Sequence, residues 1–208
     1  MGERKFRENL QEKLAEELRN YEVRICNFKN VKVNKDENLI YKVIVNIVNG
    51  NLKFEPSNPR RPRRGNYAFQ TDLLISGIIS NNSENKDISL PLVAIEVKYK
   101  NKKKKYESVT THNILTYSTK AQKHKEVYPY LRYGLVIGGM NKIPKRFFTH
   151  NIGFDFAYAL NSIDDSNSVK DLANIVKQQV KSACLLLNIL QGSQVNQVKK
   201  FNTIIEIR

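Results

Sequence analysis

The feature that most constrains the fold is a pair of β-prone segments joined by a short polar connection. Residues 67–79 (YAFQTDLLISGII) and 88–99 (ISLPLVAIEVKY) are rich in β-branched, aromatic and leucine residues, a composition that favours strands. Residues 81–87 (NNSENKD) have the polar composition of a turn. The chain is therefore expected to form an antiparallel hairpin over these residues.

The register of that hairpin can be predicted from its turn. The numbers of facing residues in an antiparallel pair have a constant sum, and a turn centred near Glu84 makes that sum about 168. Asp72 then faces Glu96, and Gln70 faces Lys98. A longer turn would shift the register by a residue pair. The strand faces are better determined, because a one-residue slip would turn a whole face over.

The two faces of the second hairpin strand differ in polarity. Glu96 and Lys98 share one face with Ala94, since side chains alternate along a strand. The opposite face is apolar or aromatic throughout: Val93, Ile95, Val97 and Tyr99. Burying an unpaired charge is costly, so the charged face is either a solvated edge or the wall of a cleft. Asp72 lies on the more polar face of its own strand, and the convergence of Asp72, Glu96 and Lys98 favours a functional site.

The remaining segments predict an α/β protein with a mixed central β-sheet flanked by helices. We expect a single domain over residues 1–208. The expected elements are a helix at 5–21, strands at 39–48, 67–79 and 88–99, a helix at 111–127, strands at 133–139 and 154–160, a helix at 168–190, and an edge strand at 202–207.

The charge of the chain favours a polyanionic partner. Its formal net charge is +15 and its pI is about 9.8. Much of the excess lies in two runs, PRRPRR at 59–64 and KNKKKK at 100–105. Each phosphate that such side chains neutralise releases counterions, so nucleic acid is the expected partner. The expected DNA contacts are Arg60, Arg61, Arg63, Arg64, Gln70, Lys102, Lys103, Lys104 and Lys105.

Other features of the sequence favour a cytoplasmic, intracellular protein. There is no apolar run of the roughly 20 residues that a membrane helix needs. The first residues, MGERKFRENL, are charged and do not form the apolar region of a secretory signal. Cys26 and Cys184 are far apart and fit no metal-ligand spacing. A reducing compartment and no membrane partner are the expectations that follow.

Paired carboxylates and a lysine suit metal-dependent hydrolysis. Two neighbouring carboxylates repel each other, and hard oxygen ligands suit Mg²⁺, with Mn²⁺ as an alternative. A divalent cation polarises phosphate and acidifies water, while an ammonium offsets developing charge. The basic runs flank Asp72 and Lys98 and suit a phosphate backbone. The predicted chemistry is therefore hydrolysis of DNA phosphodiester bonds.

The sequence TD at 71–72, followed by EVK at 96–98, resembles the motif of the PD-(D/E)xK nuclease superfamily. The resemblance covers residues of about 3–139, and residues of about 140–208 would be accessory. It implies a restriction-endonuclease-like core with the order helix, three strands, helix, strand. It also implies that Asp72 and Glu96 bind metal and act in catalysis, that Lys98 is catalytic, and that the Val97 carbonyl is a further metal ligand. Thr71 replaces the proline of the motif, which has no metal-binding role.

Many members of that superfamily add an acidic residue from the first helix, and Glu17 is the candidate here. It falls within the apolar stripe of that helix, which contains Phe6, Leu10, Leu14 and Tyr21. Glu17 would reach the metal directly or through water. The alternative is a solvated carboxylate at a frayed helix end.

Three functions remain open from the sequence. The chain most resembles a type II restriction endonuclease, for which symmetric cutting of both strands of DNA favours a homodimer. A Holliday-junction resolvase, which reads branched shape, is the next interpretation. The third is a nucleic-acid-binding protein without catalysis, in which Glu96 and Lys98 form an ordinary ion pair.

Overall fold

The computed structural model describes residues 2–19, 21, 30–40, 43–48, 51–56, 67–81, 86–100 and 109–190. Within these ranges the chain forms four helices and seven strands. In chain order they are α1 (Glu3–Leu18), β1 (Asn30–Ile40), β2 (Val43–Val48), β3 (Asn51–Pro56), β4 (Tyr67–Asn81), β5 (Lys86–Tyr99), α2 (Thr111–Val127), β6 (Arg132–Gly138), α3 (Lys145–His150), β7 (Phe156–Leu160) and α4 (Ser166–Leu190).

Five strands form one mixed sheet in the order β1-β4-β5-β6-β7. β4 pairs antiparallel with β1 and β5, whereas β5, β6 and β7 are parallel. β2 and β3 form a separate antiparallel pair. Parallel neighbours need crossover connections, and α2 and α3 lie in the two crossovers of this sheet. The predicted α/β class, with a mixed central sheet flanked by helices, is confirmed.

Helices cover both faces of the sheet, because strand side chains alternate between the faces. α1 and α4 pack on the face to which Ile95 and Val97 contribute. α2 and α3 pack on the other face, with Leu74 and Ala94. Asp72, Glu96 and Lys98 have the same strand parity as the residues of this second face. They therefore lie on the side of the sheet that α2 covers.

The predicted register of the hairpin is confirmed near the charged residues. Leu73 pairs with Ile95, and the paired residue numbers add to 168 here and as far as Ile75. A bulge follows between Ile75 and Ser76, after which Ser76 pairs with Pro91. Proline lacks a backbone N–H and cannot donate to the ladder, which accounts for the irregularity at this point.

The first strand of the sheet differs from the prediction. The expected strand at 39–48 is divided, and its larger part forms β2 in the separate pair. The sheet strand is instead β1, which begins nine residues earlier at Asn30. Val31 and Val33 of β1 are buried while Lys32 is exposed. β1 is an edge strand, so its charged side chains are tolerated there and conceal the apolar alternation.

The last elements belong to the main sheet and its core. β7 extends the sheet beside β6, and eight residues of α4 are buried. Asp165 caps α4 by accepting hydrogen bonds from the backbone N–H groups of Asn167 and Ser168. The predicted edge strand at 202–207 lies outside the described residues. No helix within the described ranges is long and apolar enough to span a membrane.

The packing of α1 on the sheet determines which strand residues its first turns can contact. Phe6, Leu10, Leu14 and Leu18 are fully buried, and each such side chain contributes about 1.5–3 kcal/mol by leaving water. Gln11 donates a hydrogen bond to the Val33 carbonyl of β1. This packing holds the N-terminal turns of α1 beside the ends of β4 and β5 that carry Asp72 and Lys98.

Candidate active site

β4 and β5 bring together the charged residues predicted from the hairpin. Leu73 and Ile95 are paired, and Asp72 and Glu96 are the next residues along the two strands. Lys98 follows two residues later on the same face of β5. The predicted cluster of Asp72, Glu96 and Lys98 is therefore present, with α2 packed over it and the first turns of α1 beside it.

Asp72 is held by one cationic side chain and one backbone amide. Arg7 of α1 donates to its Oδ1 at 2.8 Å, and the Val97 N–H donates to its Oδ2 at 2.8 Å. The Asp72 side chain is 21% exposed. These two contacts fix the carboxylate against β5, because they hold both of its oxygens from different directions. The predicted ligand role of the Val97 carbonyl stays a prediction.

Glu96 is buried and hydrogen-bonded on one oxygen. Its Oε1 accepts from Lys120 Nζ at 2.5 Å and from the Tyr133 hydroxyl at 2.7 Å. Burial raises the pKa of Glu96, and the negative charge of Asp72 adds to this effect, while Lys120 and Tyr133 oppose it. Burial also raises the pKa of Tyr133, with the charge of Glu96 as the next cause. The two carboxylates are thus close enough to repel each other.

Lys98 lies between α1 and α2. Its Nζ donates to Glu3 Oε1 at 3.1 Å and lies 5.2 Å from the centre of the Tyr117 ring. Partial burial by itself would lower the pKa of Lys98. Hydrogen bonding to Tyr117 and Glu3, with their electrostatic interactions, outweighs that effect and leaves the pKa raised. Lys98 is consequently a charged ammonium at neutral pH.

Two side chains of α2 face the two charged residues of β5. Tyr117 and Lys120 are three residues apart and therefore lie on one side of the helix. The Tyr117 ring lies near both ammonium groups, with its centre 5.7 Å from Lys120 Nζ. The phenol and the two lysines thus form one contiguous group above β5, and α2 contributes to the site as directly as the strands do.

Asp72 and Glu96 carry the oxygen donors that a hard divalent cation prefers. Mg²⁺ is commonly bound by one or two carboxylates, with water and substrate phosphate completing its shell. Asp72 and Glu96 supply that number of carboxylates, and their mutual repulsion is relieved by a cation. Within the described ranges no group of three His, Cys, Asp or Glu side chains is arranged to hold a metal ion. Water and phosphate would therefore supply most of the ligands.

The prediction that Glu17 joins the carboxylates is not supported by the geometry. Glu3 of α1 contacts Lys98, and Arg7 contacts Asp72. Further along the helix, Gln11 contacts β1. Glu17 follows Arg7 by ten residues, a helix rise of about 15 Å, and so lies towards the far end of the sheet. Glu3 is the carboxylate of α1 that lies at the site.

The predicted DNA contacts are not tested by the structure. Arg60, Arg61, Arg63, Arg64 and Lys102–Lys105 lie outside the described residues. Gln70 belongs to β4 and its backbone pairs with Asn38, but its side chain is outside the described part of the chain. The basic runs therefore remain a prediction from the sequence.

Five residues at the site were not identified as part of it from the sequence: Glu3, Arg7, Tyr117, Lys120 and Tyr133. The i, i+3 spacing of Tyr117 and Lys120 is a usable signal once α2 is known to cover the polar face. Tyr133 pairs with Ala94 in the parallel ladder, which a sequence without the strand register cannot show. Nothing in the local pattern distinguishes Glu3 and Arg7 from other charged residues of α1.

Comparison with known proteins gives no relative from which a role could be transferred. No protein-family model matches the chain, and no curated protein matches it significantly.

Proposed function

We propose that this chain is a metal-dependent endodeoxyribonuclease of the PD-(D/E)xK type, with a restriction-endonuclease-like core. The observation that carries the proposal is the placement of Asp72 and Glu96 next to each other on adjacent antiparallel strands, with Lys98 two residues further along β5. A carboxylate pair with a charged lysine on one face of a sheet suits phosphodiester hydrolysis.

The order of the elements supports the same proposal. α1, β1, β4, β5, α2 and β6 follow one another as helix, three strands, helix and strand, the order that the resemblance to PD-(D/E)xK nucleases implies. β2 and β3 form an insertion between the first and second of these strands. The directions of the sheet strands also suit it, since the hairpin strands are antiparallel and β6 is parallel to β5.

The carboxylates and the lysine have different roles in the proposed reaction. Mg²⁺, or Mn²⁺ in its place, supplies polarisation of the phosphate and acidification of water. Asp72 and Glu96 would hold the cation. Lys98 orients the attacking water and offsets negative charge as it develops on the phosphorus oxygens.

The neighbouring side chains keep these three groups in place. Arg7 holds Oδ1 of Asp72. Lys120 and Tyr133 hold Oε1 of Glu96, so the buried carboxylate has a fixed orientation. Glu3 contacts the Lys98 ammonium at 3.1 Å and must yield part of that contact when a phosphate approaches.

The substrate class follows from charge. A chain with a formal charge of +15 attracts a phosphate backbone, and the basic runs balance the repulsion between that backbone and the carboxylates. Double-stranded DNA cut by a homodimer, as in type II restriction endonucleases, is the form we propose first. A Holliday-junction resolvase uses the same chemistry on branched DNA.

A second function, DNA binding without hydrolysis, is favoured by one observation. Glu96 already has a buried cationic partner in Lys120, at 2.5 Å. Such a pair can be structural, with the carboxylate compensated by the protein itself. In this alternative the basic residues bind DNA. The buried polar side chains between α2 and β5 then serve only to hold the helix on the strand.

One cleavage experiment distinguishes these functions. The purified protein is incubated with supercoiled plasmid, linear duplex and four-way-junction DNA, with Mg²⁺, with Mn²⁺ and with a chelator. Discrete fragments that require the divalent cation support a restriction endonuclease, and cleavage of junctions alone supports a resolvase. Binding of all three DNAs without cleavage under any condition would overturn the nuclease proposal.

A further inference from the structure

A cavity of about 650 Å³ lies beyond the carboxyl ends of the parallel strands. It is lined by Lys100, Gly139, Met140, Asn141, Lys142 and Asn161. Lys100 follows β5, Asn161 follows β7, and the other four residues follow β6. Ligands of open α/β sheets commonly bind at this edge, because the loops that follow the strands diverge there.

The cavity lies beside the candidate active site. Lys100 is two residues beyond Lys98, an extended-chain distance of about 6.5 Å. The Lys100 N–H donates to the Gly138 carbonyl at 2.8 Å, so the alignment of β5 with β6 continues up to the cavity. Met140 and Ile143 pack against the core beneath α2. The loop after β6 therefore turns towards the face of the sheet that carries Glu96 and Lys98.

Gly139 fixes the turn that brings the two lysines to one cavity. Its φ is +75°, a conformation that other residues adopt only with strain. A Cβ at Gly139 would lie 2.6 Å from the Lys100 carbonyl oxygen. The Gly139 N–H also donates to the Leu160 carbonyl at 2.8 Å. Backbone hydrogen bonds thus join the ends of β5, β6 and β7 at the cavity that Lys100 and Lys142 line.

Four of the six lining residues carry side chains that can donate hydrogen bonds to an anion. Lys100 and Lys142 supply ammonium groups, and Asn141 and Asn161 supply amide donors. The six described residues that line the cavity include no Asp or Glu. Phosphate oxygens accept hydrogen bonds from both kinds of group, and nucleic-acid backbones are held largely by such contacts.

We propose that this cavity binds a backbone phosphate of the DNA strand next to the phosphate at the candidate active site. The proposal rests on the proposed function, since it takes Asp72, Glu96 and Lys98 as the point at which the strand is cut. The subsite sets the path of the strand across the sheet edge, and it shares only Lys100 with the basic runs. It takes part in binding and positioning, not in the chemical step.

The test compares two double variants that lose the same charge. Lys100→Gln with Lys142→Gln removes the ammonium groups of the cavity. Lys170→Gln with Lys181→Gln is the control, since both residues are exposed on α4, which covers the opposite face of the sheet. Binding to a fluorescein-labelled duplex is measured from about 50 to about 200 mM salt, with Ca²⁺ in place of Mg²⁺, for two unrelated DNA sequences.

We expect the cavity variant to bind both sequences about tenfold more weakly. The slope of log K against log[salt] should become shallower by about one unit, because one phosphate contact is lost. The control should bind more nearly like wild type. Equal losses in the two variants would overturn the subsite, because only net charge would then matter. Unchanged binding in both variants would overturn it as well.

Two further measurements separate the possible failures. In the first, inorganic phosphate is titrated at constant ionic strength and followed by thermal shift. Stabilisation of wild type but not of the cavity variant, together with equal duplex binding, would identify a free-anion site and overturn the backbone assignment. In the second, cleavage with Mg²⁺ is measured on the wild type. If the cavity variant binds duplex more weakly than the control but wild type does not cleave, the DNA-binding cavity is retained and the nuclease proposal is rejected. If wild type cleaves but the two variants bind duplex equally, only the cavity proposal is rejected.

Discussion

Lys120 and Glu96 form an ion pair inside the protein. The Lys120 Nζ lies 2.5 Å from Glu96 Oε1, and the two side chains are 10% and 3% exposed. Tyr133 donates to the same oxygen at 2.7 Å. The Coulombic gain of such a pair is offset by the cost of removing both charges from water. Loss of one partner is therefore more damaging than loss of both.

The first prediction concerns this asymmetry. Lys120→Met leaves Glu96 buried without its cation and should lower the free energy of unfolding by about 3–5 kcal/mol. The double variant Lys120→Met, Glu96→Gln should lose less than the sum of the two single variants. Urea unfolding measures all three. Lys123→Met on the same helix is the control, because Lys123 pairs with Glu126 on the surface and should change stability by less than about 1 kcal/mol. Equal losses of stability in Lys120→Met and Lys123→Met would show that the buried ion pair matters no more to stability than the surface pair.

The second prediction assigns Lys98 to the chemical step. Lys98→Ala removes an ammonium beside the reacting centre but removes no metal ligand, so turnover should fall by about 10²-fold or more while Mn²⁺ binding persists. Lys98→Arg should not restore full activity, because a planar guanidinium does not replace a compact ammonium. Calorimetric titration with Mn²⁺ and single-turnover cleavage are the two measurements. Wild-type turnover in Lys98→Ala would contradict the catalytic role, and Lys170→Ala on α4 is the control.

The third prediction concerns Asp155, which contacts the first two residues of β6. Asp155 accepts from Arg132 at 3.0 Å and from the Tyr133 N–H at 2.6 Å, and it pairs with Lys125 of α2 at 2.7 Å. Asp155→Ala breaks all three contacts and should lower the free energy of unfolding by about 2–3 kcal/mol. Asp164→Ala, at an exposed position, should change it by less than about 0.5 kcal/mol. Chemical denaturation measures the free energy of unfolding of both variants. Similar losses in the two would contradict the structural role of Asp155.

The fourth prediction concerns pH. The Ser168 side chain and backbone donate hydrogen bonds to Asp165 and lower the pKa of that carboxyl below its ordinary value of 3.8. Because folding favours the ionised form, the stabilisation is complete above that value and is lost as the pH falls through the lowered pKa. Asp165→Ala should therefore lower the Tm near pH 7, and its difference from wild type should shrink near pH 3. A difference that grows on acidification would contradict the capping role.

The hairpin could be predicted from the sequence because two strong local patterns specify it. β4 and β5 are rich in β-prone apolar residues, and their short polar connection fixes the register. The sequence therefore predicts correctly that Asp72 and Glu96 lie close together. β1 was missed because Lys32 and the other polar residues of an edge strand conceal Val31 and Val33. The segment predicted as a strand at 39–48 is strongly apolar, but most of it forms β2, which pairs with β3 and not with the main sheet.

The rest of the site depends on tertiary packing. A helical pattern shows which face of α1 is buried but not which end of α1 meets the strand ends. The sequence therefore points to Glu17 and not to Glu3. The pairing of Lys120 with Glu96 depends on how α2 is rotated over the sheet. The contact between Tyr133 and Glu96 depends on the parallel register of β5 and β6, which no local sequence signal gives.

The measurement that tests the central claim most directly is Mg²⁺-dependent cleavage of plasmid DNA by Asp72→Asn and Glu96→Gln. Asp171→Asn is the control, because Asp171 is exposed on α4 and its substitution removes the same charge. The account predicts that wild type and Asp171→Asn cut, and that each site variant is slower by at least about 10²-fold while binding DNA as well or more tightly, since a repelling charge has been removed. Thermal unfolding of each protein confirms that it is folded. Cleavage near the wild-type rate by a folded Asp72→Asn or Glu96→Gln variant would contradict the account.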